Sequence, residues 1–130
     1  MQHPDTDRRA RSRLRSFRHA FSGLRYVLRT QRNAWLHAVA TACVLGMATW
    51  LGIARTEWAL LVLAIGLVWS AEFVNTALEA TVDLASPDLH PVARIGKDVG
   101  AAAVLVASAA AVVIGLLILG PPLLGRLFGA

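Results

Sequence analysis

Glu72, Asn75, Glu79 and Asp83 stand at offsets of 0, 3, 7 and 11 along AEFVNTALEATVD, a stretch otherwise dominated by apolar and small residues. At 3.6 residues per turn, these offsets put all four on one narrow face of a helix. A charged side chain at the centre of a bilayer costs about 3 kcal/mol unless paired or watered, so such a stripe marks a functional site. Carboxylates beside an amide offer the oxygen ligands that a hard cation such as Mg²⁺ takes, with room left for water and phosphate. Lys97, followed by Asp98, opens a later apolar run. An ammonium among the free N–H groups of a helix start suits phosphate. Glu72 lies deepest in apolar sequence and can take a proton from an alcohol dissolved among lipids. Cation, phosphate clamp and base are the parts phosphoryl transfer requires, because that chemistry depends on positioning and charge neutralisation. The sequence holds no Walker A motif and no kinase Gly-rich loop, so a nucleotide must be held in another way.

Three apolar runs must carry these groups. Ala34–Ala54 is uncharged, with the single histidine His37; Trp58–Ala71 is uncharged and continues helically through the polar stripe to about Asp83; Val99–Leu124 is uncharged throughout. A span needs about 20 apolar residues. Runs this long in a chain of 130 residues, 56% of them hydrophobic, leave too little polar sequence to cover a soluble helical core. The fold class expected is an all-α integral membrane protein with one domain over 13–130 and spans over about 33–54, 57–84 and 97–120. A surface helix over 13–31 precedes them: Leu14, Phe17, Phe21, Leu24 and Leu28 form one apolar face, and Arg15, Arg18, Arg25 and Arg29 fill the others. Residues 1–12 are polar and Arg-rich, and are expected to be disordered.

Turn signals divide the runs at Arg55-Thr56-Glu57 and at Ser86-Pro87-Asp88-Leu89-His90-Pro91, while Gly120-Pro121-Pro122 is expected to end the third span. Trp35, Trp50 and Trp58 read as interfacial belt residues; His37, Cys43 and Trp69 read as packing residues. The third span is rich in small residues that let helix backbones approach closely.

Nine of the 13 basic residues fall between Arg8 and Arg32. Basic flanks stay on the cytoplasmic side, which puts the N-terminus and, two crossings later, the Asp83–Lys97 loop inside. The basic arm fits no nucleic-acid recognition fold. No secretory signal precedes the first run, which is longer than a signal peptide's apolar region.

The stripe and its flanks resemble the signature of the small prokaryotic diacylglycerol kinase/undecaprenol kinase family of integral membrane lipid kinases. That pattern is Glu, two residues, Asn-(Ser/Thr)-Ala-(Ile/Leu)-Glu, three residues, Asp; here it is Glu72-Phe-Val-Asn75-Thr76-Ala77-Leu78-Glu79-Ala-Thr-Val-Asp83. The likeness extends to the SFRHAFSGLRY arm, the RNAWLH start of the first span and the HPVARIGKD approach to the third. The Asn-Thr-Ala form, with His-Pro before Lys-Asp, is closer to the undecaprenol kinase branch.

The resemblance implies ATP- and Mg²⁺-dependent phosphorylation of a membrane lipid alcohol, undecaprenol or diacylglycerol, by direct transfer of the γ-phosphoryl group. It implies a homotrimer with sites between subunits, in the bacterial inner membrane, the active site facing the cytoplasm. Glu72 matches the catalytic base that meets the lipid hydroxyl, and Glu79 the metal carboxylate that also borders ATP, with Asn75 and Asp83 supporting. His19, Gln31, Asp88, His90, Lys97 and Asp98 match the ATP site, Lys97 on phosphate; Trp50 borders the lipid path. At position 31 many members carry a second metal-binding Glu, whereas this chain has Gln31, whose amide offers one oxygen and neutralises less charge.

The rival expectation is a small proton or cation transport or coupling subunit, since intramembrane carboxylates also build conduction paths. Such a path needs polar groups in the outer half of the bundle, and past Arg55-Thr56-Glu57 that half is apolar in all three spans. A lipid-binding scaffold without chemistry would keep full function in Glu72→Gln.

Overall fold

The computed structural model describes the backbone of residues 4–86 and 90–129, with side chains from 15 onward. Its elements are α1 (Pro4–Thr30), α2 (Arg32–Leu51), α3 (Arg55–Ala85) and α4 (Pro91–Phe128), with no strand among the described residues. Three of them, α2, α3 and α4, are long and apolar enough to cross a membrane.

One residue separates α1 from α2. Gln31 takes an extended conformation (φ −98°, ψ 115°) that breaks the helical run, although its N–H still bonds the Val27 carbonyl at 2.8 Å. Val27 and Ala34, on either side of this joint, are both buried, so the joint is packed rather than free. The α2–α3 connection has three residues, Gly52 to Ala54. Gly52 ends α2 in the left-handed region (φ 70°), open to glycine without a Cβ penalty. The Glu57 carboxylate then accepts the Ala54 N–H at 2.6 Å and closes the first turn of α3. Arg55-Thr56-Glu57 is thus the start of the helix and not the turn itself. Pro91 occupies the first turn of α4, where its missing N–H costs nothing.

α3 and α4 run antiparallel. At one end Gly96 approaches Val82, and Gly100 lies against Asn75 and Leu78; at the other, Leu61 packs with Ile118 and Leu119. The small residues of α4 permit this closeness, which in lipid is the main source of helix–helix attraction. α2 joins the pair through Ala48 and Leu51. It also touches α3 through His37 and Thr41, and a cleft of about 420 Å³ runs between the three helices from His37 to Leu123.

Two expected boundaries move. α1 reaches back to Pro4, taking in most of the stretch expected to be disordered and starting before the surface helix expected over 13–31; proline's fixed φ suits a first helical turn. α4 continues through Pro121 and Pro122 to Phe128 instead of stopping at Gly120. Two adjacent prolines disturb one turn between them, and apolar partners on both sides of it, Ile118, Leu119 and Leu123, hold the direction of the chain.

Candidate active site

The polar stripe forms on α3 as its spacing predicts, and it faces protein for most of its length. Glu72 is only 2% exposed and Asn75 is 9% exposed, both in the packed face of the helix. Thr76, beside them, is buried as well, with its hydroxyl donated to the Glu72 backbone carbonyl at 2.9 Å. Glu79 is half-buried one turn beyond Asn75, and Asp83 is exposed.

α3 is longer than a bilayer requires. Its 31 residues extend about 46 Å at 1.5 Å per residue, against a hydrocarbon core of about 30 Å. Counted from Arg55, about 20 residues reach the vicinity of Asn75. A layer of that depth starting at Arg55 would have Glu72 just inside it and Glu79 and Asp83 beyond it. A graded site would result: a buried carboxylate at lipid level and accessible ones at water level.

Each of these groups acquires a partner from a different element. The joint residue Gln31 donates its Nε2–H to Glu79 Oε2 at 3.1 Å, across 48 positions of sequence. Asn75 donates Nδ2–H to Glu79 Oε1 at 3.1 Å. Two amides thus hold both oxygens of one carboxylate. From α4, Lys97 Nζ donates to Asp83 Oδ1 at 2.7 Å. From α2, His37 Nε2 stands 3.8 Å from Glu72 Oε2. The contacts Glu72–His37, Asn75–Glu79–Gln31 and Asp83–Lys97 follow one another along about 16 Å of α3.

Gly100 is what lets α4 close over the stripe. A Cβ there would strike Asn75 Oδ1 and come within 2.9 Å of Leu78 Cδ2. Asn75 Oδ1 is itself buried with no hydrogen-bond partner among the described residues. An orphaned buried carbonyl oxygen is costly and calls for an explanation (about 1–3 kcal/mol).

The chemistry of the donor set fits a hard divalent ion in part. The Glu79 carboxylate and the amide oxygens of Gln31 and Asn75 are all oxygen ligands of the type Mg²⁺ takes. Among the described residues no three His, Cys, Asp or Glu side chains converge on one point. An ion here would therefore draw few ligands from this chain and the remainder from water and phosphate, the coordination habit of Mg²⁺ in phosphoryl-transfer sites.

The other sequence-based candidates lie outside this cluster. His19 is exposed on α1, about 18 Å along the helix from Gln31. His90 caps α4, its Nδ1 accepting the Val92 N–H at 3.2 Å. Asp98 is exposed and pairs loosely with Arg94 at 3.9 Å. Asp88 lies outside the described residues. Trp50 is at the opposite end of α2, with the Arg126 guanidinium 5.1 Å above its ring. Of these, His90 has an evident structural duty.

One participant was missed. His37, expected to be a packing residue, contacts Glu72, and Trp69 turns an edge toward its ring (centroids 6.3 Å apart, interplanar angle 64°). Nothing in the spacing of a lone histidine on α2 points to a carboxylate 35 positions later.

The chain is similar in sequence to known proteins. The sequence profile of the prokaryotic diacylglycerol kinase family matches residues 18–119, a span that contains the whole cluster. An undecaprenol kinase of Bacillus subtilis (strain 168) is 41% identical over 109 residues, covering 84% of this chain and 89% of that protein. A diacylglycerol kinase of Synechocystis sp. is 43% identical over 110 residues, covering 84% of this chain and 63% of that one. A diacylglycerol kinase of Escherichia coli (strain K12) is 34% identical over 89 residues, 63% of this chain and 73% of its own.

Proposed function

The chain belongs to the prokaryotic diacylglycerol kinase family and is a membrane lipid kinase, and from that premise we propose that it transfers the γ-phosphoryl group of ATP directly to the hydroxyl of undecaprenol or a diacylglycerol. The observation that supports the mechanism is the grading of the stripe: a buried carboxylate, then a half-buried amide-held one, then an exposed one paired with a lysine.

Glu72 accepts the proton of the lipid hydroxyl as its oxygen attacks the γ-phosphorus. The bond between that phosphorus and the bridging oxygen breaks, and ADP leaves with the electron pair. Burial keeps water, a competing nucleophile, away from Glu72. Lys97 is positioned to meet phosphate charge on exchanging its contact with Asp83. Glu79 and the Gln31 amide oxygen would hold Mg²⁺, supported by Asn75. When bound, Mg²⁺ neutralises the phosphate oxygens and orients them for in-line transfer. His19, Asp88, His90 and Asp98 belong in this proposal to the nucleotide's surroundings, and Trp50 to the lipid's. In this proposal the protein lies in the bacterial inner membrane, and the basic arm supports a cytoplasmic N-terminus and site. A homotrimer supplies the further groups that one chain does not bring together.

Purified protein in micelles, given ATP labelled at the γ position together with undecaprenol or a diacylglycerol, is expected to form labelled lipid phosphate only when Mg²⁺ is present. Folded protein that labels neither lipid would overturn the proposal, and the ratio of the two rates assigns the preferred alcohol.

A further inference from the structure

His37 and Glu72 form a polar contact between α2 and α3. The imidazole is held as well as near. Its ring meets the edge of Trp69. Trp69 is fixed in turn by its Nε1–H on Thr41 Oγ1 at 3.2 Å and by Phe73, with ring centroids 5.6 Å apart. Thr41 lies one turn beyond His37 on α2, and Trp69 and Phe73 bracket Glu72 on α3. Aromatic side chains thus pack beside the imidazole that faces the carboxylate.

The two partners differ in access. The His37 side chain is 18% exposed and lines the head of the interhelical cleft, whereas that of Glu72 is 3% exposed. A proton taken up by Glu72 has no direct route to water, whereas the His37 ring beside it is partly exposed. The surrounding charges do not duplicate this role. On α3 the neighbouring ionisable group is Glu79, two turns away; α4 presents the uncharged Ser108 to the cleft, and Arg25 and Arg29 of α1 are exposed.

We infer that His37 is a positioning residue that acts through Glu72, aiming its carboxylate and removing the proton it has gained so that each turnover begins with an ionised base. This rests on the assignment of Glu72 as base. The proton passes from the lipid hydroxyl to a Glu72 oxygen and then to His37 Nε2, leaving imidazolium beside carboxylate, and departs from the exposed part of the His37 ring. No other bond is made or broken, and no further reactant is needed. The 3.8 Å separation exceeds a hydrogen bond, so the transfer needs the ring or the carboxylate to close by under 1 Å.

The test is the pH dependence of kcat and KM for His37→Gln and His37→Ala in micelles, with undecaprenol and a diacylglycerol as acceptors. General acid–base groups contribute about 10²–10⁴-fold. The variants are expected to lose at least tenfold in kcat, with KM for ATP changed less than twofold. The limb of the kcat profile that falls as pH drops should flatten. Wild-type kcat in His37→Gln, or a reduced kcat with an unchanged pH profile, would overturn the inference. If His37→Ala does not fold, His37→Gln decides alone, with wild-type helicity verified by circular dichroism. Glu72→Gln is assayed alongside: full activity there removes the base assignment itself, while inactive Glu72→Gln beside unaffected His37 variants removes this inference alone.

Discussion

Glu79 carries the consequence of the substitution at position 31. In this chain its two oxygens are satisfied by amide N–H groups of Gln31 and Asn75, so the carboxylate is stable without a cation. Gln31→Glu would set a second carboxylate against the first. Like charges at that range repel until a cation binds between them. The expected outcome is a melting temperature lowered without Mg²⁺ and raised more steeply by added Mg²⁺ than in the wild type, as linkage requires of a ligand that binds the folded state better. Thermal unfolding across a Mg²⁺ titration reads this directly; parallel curves for the two proteins would refute it. Glu72→Gln keeps the shape of the side chain and removes its basicity. It should lower kcat by about 10²-fold or more with KM for ATP nearly unchanged, as steady-state kinetics will show.

The joints and faces of the helices set how far these side chains could be foreseen. The stripe at 72, 75, 79 and 83 was legible because charge is rare in apolar sequence and helical periodicity is rigid. The partners of the stripe were less so. Gln31 reaches Glu79 because one extended residue turns α1 away from α2, and His37 reaches Glu72 because α2 packs against α3 at a particular height. Both depend on how helices cross, which spacing within a single helix does not encode. The passage of α4 through Pro121 and Pro122 was hidden for a related reason, since the local rule for proline ignores the anchors on either side. Gly100 could be read as one of many small residues, but its contact with Asn75 makes it particular. Gly100→Ala forces α4 away from the amide and Leu78, overpacking that typically costs about 1–3 kcal/mol. We expect a matching loss in denaturation midpoint and a raised KM for ATP, because Asn75 orients Glu79. Gly115, where a Cβ would meet nothing within 4 Å, supplies the control: Gly115→Ala should leave both unchanged.

At the scale of the whole molecule, large apolar side chains such as Leu63, Leu105, Leu116 and Leu117 face outward along the spans, a surface suited to lipid or to sister subunits and not to water. The same surface ties the enzyme to its solvent. Arg55 marks one rim of the apolar layer and the overhanging end of α3 the other, so the bilayer decides how deep the base sits. In reconstituted vesicles of graded acyl-chain length, turnover should pass through a maximum, because a thin membrane lifts Glu72 into the headgroups and a thick one draws Glu79 toward the hydrocarbon, mismatch that otherwise must be absorbed by tilt. A rate indifferent to chain length would contradict this. The overhang therefore works as a depth gauge: an organism that remodels its fatty acids with temperature would, without touching the protein, retune how readily a buried alcohol meets a dissolved nucleotide.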